Sequence, residues 1–328
     1  MIFTRTPFRF PIGGGGTDLP AYYQRFGGFL VTAAVDKYMY INVNRPLVDD
    51  LIRVKYSKSE TVGRVEDVQH TIVREALRLT GITNRIEILS LADAPAGTGL
   101  GSSSSFTVGL LKALHTLKRE AISQLDLAEE ACHLEIDILK KPIGKQDQYA
   151  AAMGGMIVME IDKQGRVTVE PAGLSPEVLR ELEFNMLVFY THISRESDQI
   201  LAEEGQSVNQ PETGGAEKLH QIKEIGREIL RQLRSGHTRA FGELLDAHWQ
   251  VKRGLSSRMS TSQIDRWYAL ARENGAVGGK LMGAGGGGFF LFYCDENKEQ
   301  LRQALAAEGL REMFFRFDPE GSKVLVDF

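Results

Sequence analysis

Cysteine is nearly absent from this sequence. Cys132 and Cys294 are the only two in 328 residues, far apart and outside any CxxC spacing. A disulfide framework or a cysteine-based zinc site is therefore not expected, and a reducing, cytoplasmic setting is. Long apolar runs are missing as well: none approaches the ~18 residues of a bilayer span. The start, MIFTRTPFRF, lacks the basic, apolar and small-residue succession of a secretory signal. Charge of one sign is missing too. The 39 Lys and Arg against 43 Asp and Glu give a net charge of −4, which offers no field for nucleic acid or an anionic membrane. The 7 histidines show no HExxH-type spacing and read as structural. No repeat of fixed period and no heptad run occurs. What remains is 42% apolar and 25% charged, with length enough for about two domains.

Periodicity assigns the elements. Residues 29–44 end in strand-like alternation, with Tyr38, Tyr40 and Asn42 against Met39, Ile41 and Val43. Spacings of three and four predict helices over 66–80 (Val68, Ile72, Ala76, Leu79), 102–117 (Phe106, Leu110, Leu114, Leu117) and 126–140 (Leu127, Ala131, Leu134, Ile138), the last closed by Pro142. Strands are expected at 85–91, 155–161, 166–170, 184–191 and 289–294, with a final one near Val324. Met153, Met156 and Met159 read as core filling. Residues 171–183 read as a connector, and the polar stretch 203–217 as a surface loop able to act as a lid. Three helical patterns follow it. The succession predicts an α+β protein of two domains, 1–175 and 176–328.

Glycine is the residue in excess. There are 34, against a usual ~7% of residues, and they gather in IGGGGTDLP, PAGTGLGSSSS and GAGGGG. In the middle cluster a strand runs into a glycine-rich loop that opens a helix beginning with serines. A helix N-terminus presents free N–H groups and partial positive charge, and glycines let a phosphate approach them. Gly97, Gly99, Leu100, Gly101, Ser102, Ser103 and Ser104 are thus the candidate phosphate cradle. No lysine follows Gly101, so this is not GxxxxGK[ST]; Ser102 stands where GxGxxG needs its third glycine. A helix start with no ligand is the alternative reading.

Several side chains suit chemistry near that loop. Glu135 borders the inward stripe of helix 126–140, where a carboxylate takes either Mg²⁺ beside a triphosphate or an ordinary ion pair. Asp147, in IGKQDQYAAAMGG, has Lys145 close in sequence and is placed to orient or deprotonate an alcohol, with turn or capping chemistry as the alternative. Arg5 and Arg9 precede Thr17 and Asp18. An Asp accepts from sugar hydroxyls and an Arg steadies developing phosphate charge; a surface hairpin is the bland reading.

In this order the clusters resemble the motifs of the galactokinase, homoserine kinase, mevalonate kinase and phosphomevalonate kinase (GHMP) superfamily. PAGTGLGSSSS resembles its P-x-x-x-G-L-G-S-S loop, Pro7-Phe8-Arg9 with GGGGTDLP its first motif, and KLMGAGGGGFFLF its third. The sugar-kinase branch carries Gly-Glu-His-Thr-Asp in the first motif. Here Gly15 and Gly16 replace the Glu and His while Thr17 and Asp18 are kept, which departs from plain galactokinase. TPFRFPIGGGGTDLP, GLGSSSSFTVGLL and GKQDQYAA are most similar to the bacterial D-glycero-D-manno-heptose 7-phosphate kinases. The resemblance implies an N-terminal domain like ribosomal protein S5 domain 2 and a ferredoxin-like C-terminal domain. It implies transfer of the γ-phosphate of ATP to an anomeric hydroxyl, giving heptose 1,7-bisphosphate for nucleotide-activated heptose synthesis. ATP phosphates would lie on 97–105, and Mg²⁺ on Ser103 (or Ser102) and Glu135. Asp147 would take the place of the family's catalytic Asp, with Arg9 beside the transferred phosphoryl. Asp18, Gly15, Gly16 and Thr17 would meet the sugar, and Gly283–Gly288, including Gly285 and Gly286, would shape the site.

A phosphorylated acceptor needs cations of its own. Arg195 ranks first, because a guanidinium binds phosphate bidentately; Lys280, Lys252 and Arg253 follow, the last two also fitting a solvated helix face. A kinase for an unphosphorylated sugar such as fucose or galactose would need no clamp. A catalytically inactive nucleotide- or sugar-binding regulator is the alternative of another class. The expected partner is a small sugar phosphate, with neither nucleic acid nor membrane, and a homo-oligomer is left open.

Overall fold

The computed structural model describes residues 1–193, 197–210, 214–256 and 258–328. Strand β1 (Ile2–Gly13) leads through the first glycine turn into α1 (Pro20–Phe26), whose opening proline sits where no N–H is needed. Strand β2 (Gly28–Asn44) returns antiparallel to β1, from Ile2 opposite Val43 to Gly13 opposite Val31. Strands β3 (Ile52–Lys55) and β4 (Ser59–Val62) form a hairpin. Helix α2 (Thr71–Leu79) begins later than its periodicity suggested. A 3₁₀ turn occupies Val65–Asp67, and His70 caps the helix by accepting from the Val73 N–H.

Strand β5 (Ile86–Ala92) runs parallel to β3 and antiparallel to β2. Helix α3 (Ser102–Leu117) has the expected bounds. Helix α4 (Gln124–Cys132) continues as a π-helical segment, His133–Ile138, that carries Glu135. Then come α5 (Gln146–Met153), β6 (Met156–Ile161) and β7 (Val167–Pro171). The great length of β2 lets it serve two partners on one edge: Gly28–Ala33 pairs with β6 and Met39–Asn44 with β5. Met156 and Met159 are buried in the core.

The expected connector at 171–183 is instead largely helical. Ser175 caps α6 (Pro176–Asn185), Pro176 opens it, and Val178 and Leu182 bury its short inner face. After β8 (Met186–Tyr190), the expected loop at 203–217 is also overturned. Helix α7 (Ser197–Asn209) covers its first half and α8 (Gly215–Arg234) its end, while 211–213 lie outside the described residues. Helices α9 (Thr238–Lys252) and α10 (Ser262–Glu273) follow, then β9 (Gly278–Leu281), β10 (Phe289–Tyr293), α11 (Lys298–Ala307), β11 (Arg311–Glu312) and β12 (Lys323–Asp327).

Among the described residues, eight strands make one sheet, in the order β12-β1-β2-β5-β3-β4 with β6 and β7 branching from β2. Four make a second, β11-β8-β10-β9. Helix α3 packs on β1 and β2. The second core gathers Trp249, Tyr268, Phe290 and Phe292, and burying each of the two phenylalanines contributes ~1.5–3 kcal/mol. The last strand, β12, crosses back to pair antiparallel with β1, so residues 323–327 belong to the first sheet although they follow the second. No helix among the described residues is long and apolar enough to cross a membrane.

Candidate active site

The three glycine clusters meet around one cavity between the two sheet units. Its wall includes Gly97, Gly99, Gly101 and Ser102–Ser104 before and at the start of α3, Gly15, Gly16 and Asp18 after β1, and Asp147 on α5. Helix α7 adds Asp198, Leu201 and Glu204, and Lys252, Gly283 and Ala284 complete the far side. Gly97, Gly99 and Gly101 have φ of 74, 83 and 77°, a left-handed backbone that side chains resist. A Cβ on Gly99 would strike the Met282 carbonyl, and one on Gly288 the Thr98 carbonyl. The loop of the first unit therefore lies backbone to backbone against that of the second. Gly101 caps α3, and the N–H groups of Ser102 to Ser104 precede the first helical bond, which Ser105 makes to Gly101.

Arg9 holds this loop to the acid. Its Nε donates to Asp147 Oδ1 at 2.6 Å, its Nη1 to the Gly99 carbonyl at 2.6 Å, and its backbone N–H to the Leu100 carbonyl at 3.1 Å. The sequence pointed to Lys145 as the cation beside Asp147; the structure corrects this. Residues two apart at a helix start do not share a face. Lys145 Nζ donates instead to the Gly165 carbonyl at 2.7 Å and to Glu129 at 3.3 Å.

Asp18 is buried beside Asp147. Its Oδ2 accepts from the Gln146 N–H at 3.0 Å and its Oδ1 from the Gly16 N–H at 3.2 Å. Burial pushes its carboxyl pKa up, the Asp147 charge adds to this, and the backbone donors work against it. Glu135 is fully buried. Ser103 Oγ donates to its Oε1 at 3.1 Å, Lys141 Nζ to the same oxygen at 2.8 Å, and Gln148 Nε2 to Oε2 at 2.8 Å. Among the described residues no group of three or more His, Cys, Asp or Glu is arranged to hold a metal. A carboxylate and a hydroxyl side by side are nonetheless the hard oxygen donors that Mg²⁺ takes when phosphate oxygens and water supply the rest.

Other expected residues stand elsewhere. Thr17 is buried and locks the first turn, its Oγ1 donating to the Gly14 and Phe29 carbonyls at 2.8 and 2.9 Å. Leu100 is core. Lys280 is 1% exposed and outside the cavity wall, with Nζ donating to the Ile12 carbonyl at 3.2 Å; burial lowers its pKa well below the usual range. Gly285 and Gly286 pack on Met259, whose carbonyl accepts from the Gly286 N–H at 2.6 Å, and do not line the cavity. Arg253 pairs with Asp265 at 3.2 Å. Arg195 lies outside the described residues. Lys252 does line the cavity, its Nζ donating to the Gly283 carbonyl at 2.5 Å. Lys141, Gln148 and Glu204 were not singled out from sequence. The first two carry no more signal than ordinary polar positions near a motif, and Glu204 is hidden inside a helix that reads as a loop.

A glycine-rich helix start beside a paired Arg and Asp is an arrangement that suits phosphoryl transfer. The family models for the GHMP kinases N terminal domain and the GHMP kinases C terminal match residues 67–155 and 229–311. The chain belongs to the GHMP kinases and is an ATP-dependent enzyme of that family. It is 29% identical to the D-glycero-alpha-D-manno-heptose 7-phosphate kinase of Campylobacter jejuni, over 98% of both chains. It is 26% identical to a galactokinase of Pyrococcus furiosus, over 97% of both. A crystal structure of a D-glycero-D-manno-heptose 1-phosphate kinase from Bacteriodes thetaiotaomicron shares the fold, with a TM-score of 0.81, 23% identity and full coverage of both chains.

Proposed function

We propose that this sugar kinase transfers the γ-phosphate of ATP to the anomeric hydroxyl of D-glycero-D-manno-heptose 7-phosphate, giving the 1,7-bisphosphate for nucleotide-activated heptose synthesis. The contact of Arg9 with both Asp147 and the glycine loop carries the reading, because it sets a proton acceptor and a cation at one edge of the phosphate cradle. The full-length likeness to the Campylobacter enzyme supports the choice of acceptor.

In this reading the N–H groups at the start of α3 receive the ATP phosphates. Asp147 orients the acceptor hydroxyl and takes its proton as the new P–O bond forms and the bond to ADP breaks. Arg9 holds the Asp147 carboxylate through its Nε and faces the charge of the transferred group. Asp18 accepts from a sugar hydroxyl. Ser103 and Glu135 would hold Mg²⁺, which when bound neutralises phosphate charge.

A second reading, an unphosphorylated acceptor, is favoured by the burial of Lys280 and the pairing of Arg253, which take two cations away from a substrate phosphate. The experiment is ADP release with ATP and Mg²⁺ over heptose 7-phosphate, mannose 6-phosphate, galactose, fucose and mevalonate. Preference for the heptose phosphate supports the first reading. Activity on galactose or fucose alone replaces it with the second. Silence across the panel with ATP still bound points to a regulator.

A further inference from the structure

Glu204 is an acidic side chain of the cavity that the reaction as described leaves idle. Of the other acids of the cavity wall, Asp147 is held by Arg9 and Asp18 by two backbone N–H groups, while Asp198 is exposed to solvent. Glu204 differs. It is 1% exposed, it lines the cavity, and its Oε1 has no hydrogen-bond partner. It stands on the inner stripe of α7, four residues from buried Ile200 and four from buried Val208, a position that packing alone would give to an apolar side chain. The first glycine cluster makes room for it: a Cβ on Gly16 would collide with Glu204 Oε1. An unmet carboxylate oxygen in a buried site is destabilising, a cost that a hydrogen-bond donor arriving in the cavity would remove.

We infer that Glu204 is a specificity residue of the acceptor subsite, its open carboxylate oxygen accepting from a hydroxyl of a polyhydroxylated substrate alongside Asp18. The inference rests on the sugar-kinase reading. It assigns part of acceptor recognition to a helix of the second unit, while the phosphate cradle and Asp147 belong to the first. Burial raises the carboxyl pKa to about 7, with Lys252 opposing and Asp18 adding to the shift, as expected of an acid lacking donors.

The test is steady-state kinetics of Glu204→Gln and Glu204→Asp, using whichever sugar the wild type turns over fastest. The Gln variant keeps an acceptor oxygen but loses the charge, and should raise the acceptor KM about 5- to 10-fold, the difference between a charged and a neutral hydrogen bond. The ATP KM should stay within about twofold, and the Asp variant should fall between wild type and Gln. An unchanged acceptor KM overturns the inference, and so does an equal rise in both KM values, which marks a structural role. If the Gln variant does not fold, the Asp variant alone decides by the same KM split. A fastest sugar other than the heptose phosphate overturns the heptose reading and leaves this test intact; turnover of no sugar overturns both.

Discussion

Arg9 and Asp147 are 138 residues apart in sequence, and 2.6 Å separates Nε from Oδ1. One comes from the middle of β1, the other from the first turn of α5, and the shared contact of Arg9 with Gly99 joins them to the phosphate loop. Asp147→Asn should therefore lower kcat by about 10²- to 10⁴-fold while ATP binding stays near wild type. Single-turnover ADP release and ATP calorimetry check both halves. An unimpaired Asn variant removes Asp147 from the chemistry.

Glu135→Gln keeps the shape of the buried side chain and removes its charge from Lys141 and Ser103. If these oxygens hold Mg²⁺, half-maximal rate should need roughly tenfold or more Mg²⁺, about 1.4 kcal/mol of lost affinity. A Mg²⁺ titration at fixed ATP reads this. An unshifted titration with a lowered Tm would assign Glu135 to packing alone.

Glu204 sets a pH dependence of stability whose sign follows from its raised pKa. Between 4.5 and about 7 the unfolded chain releases this proton and the folded chain keeps it. Stability is thus complete below that window and falls as pH rises through it, by up to roughly 3 kcal/mol from this group. Glu204→Gln should be flatter, so its Tm advantage over wild type should grow from pH 5 to pH 8. Thermal melts across that range, without ligands, measure the difference; parallel curves would contradict it.

Gly99→Ala places a side chain where φ is 83° and the Met282 carbonyl blocks the space. Backbone strain of ~1–3 kcal/mol is expected from the conformation. The phosphate loop must shift to accommodate the methyl group, so the ATP KM should rise together with a fall in Tm. A variant that melts lower but keeps its ATP KM would separate the loop's packing from its role as a cradle.

Much of this was legible in residue order. The stripe Phe106, Leu110, Leu114 with serines before it fixed α3 and the loop at its N-terminus, because helix period and cap chemistry agree there. Helix α7 was not legible. Its inner stripe runs Ile200, Glu204, Val208, and the acid at its centre makes an amphipathic helix look like a polar loop. Helix α6 hid for another reason, since Val178 and Leu182 give it only one buried turn beyond its Ser-Pro start. Lys145 misled because neighbours in sequence diverge around a helix, whereas the true partner of Asp147 comes from a different sheet strand. Lys280 looked like a clamp because a lysine before a glycine loop suits phosphate; only the tertiary structure shows it enclosed under β1.

The return of β12 to β1 has a consequence for how the chain is made. Strand β1 leaves the ribosome long before residues 323–327, which cover its outer edge. Until those emerge, the nascent first sheet carries a bare strand edge, open to pairing with other chains. All strands of the second sheet are synthesised during that interval. Synthesis halted shortly before residue 323 should leave both units largely built and aggregation-prone, held back by the want of a single strand.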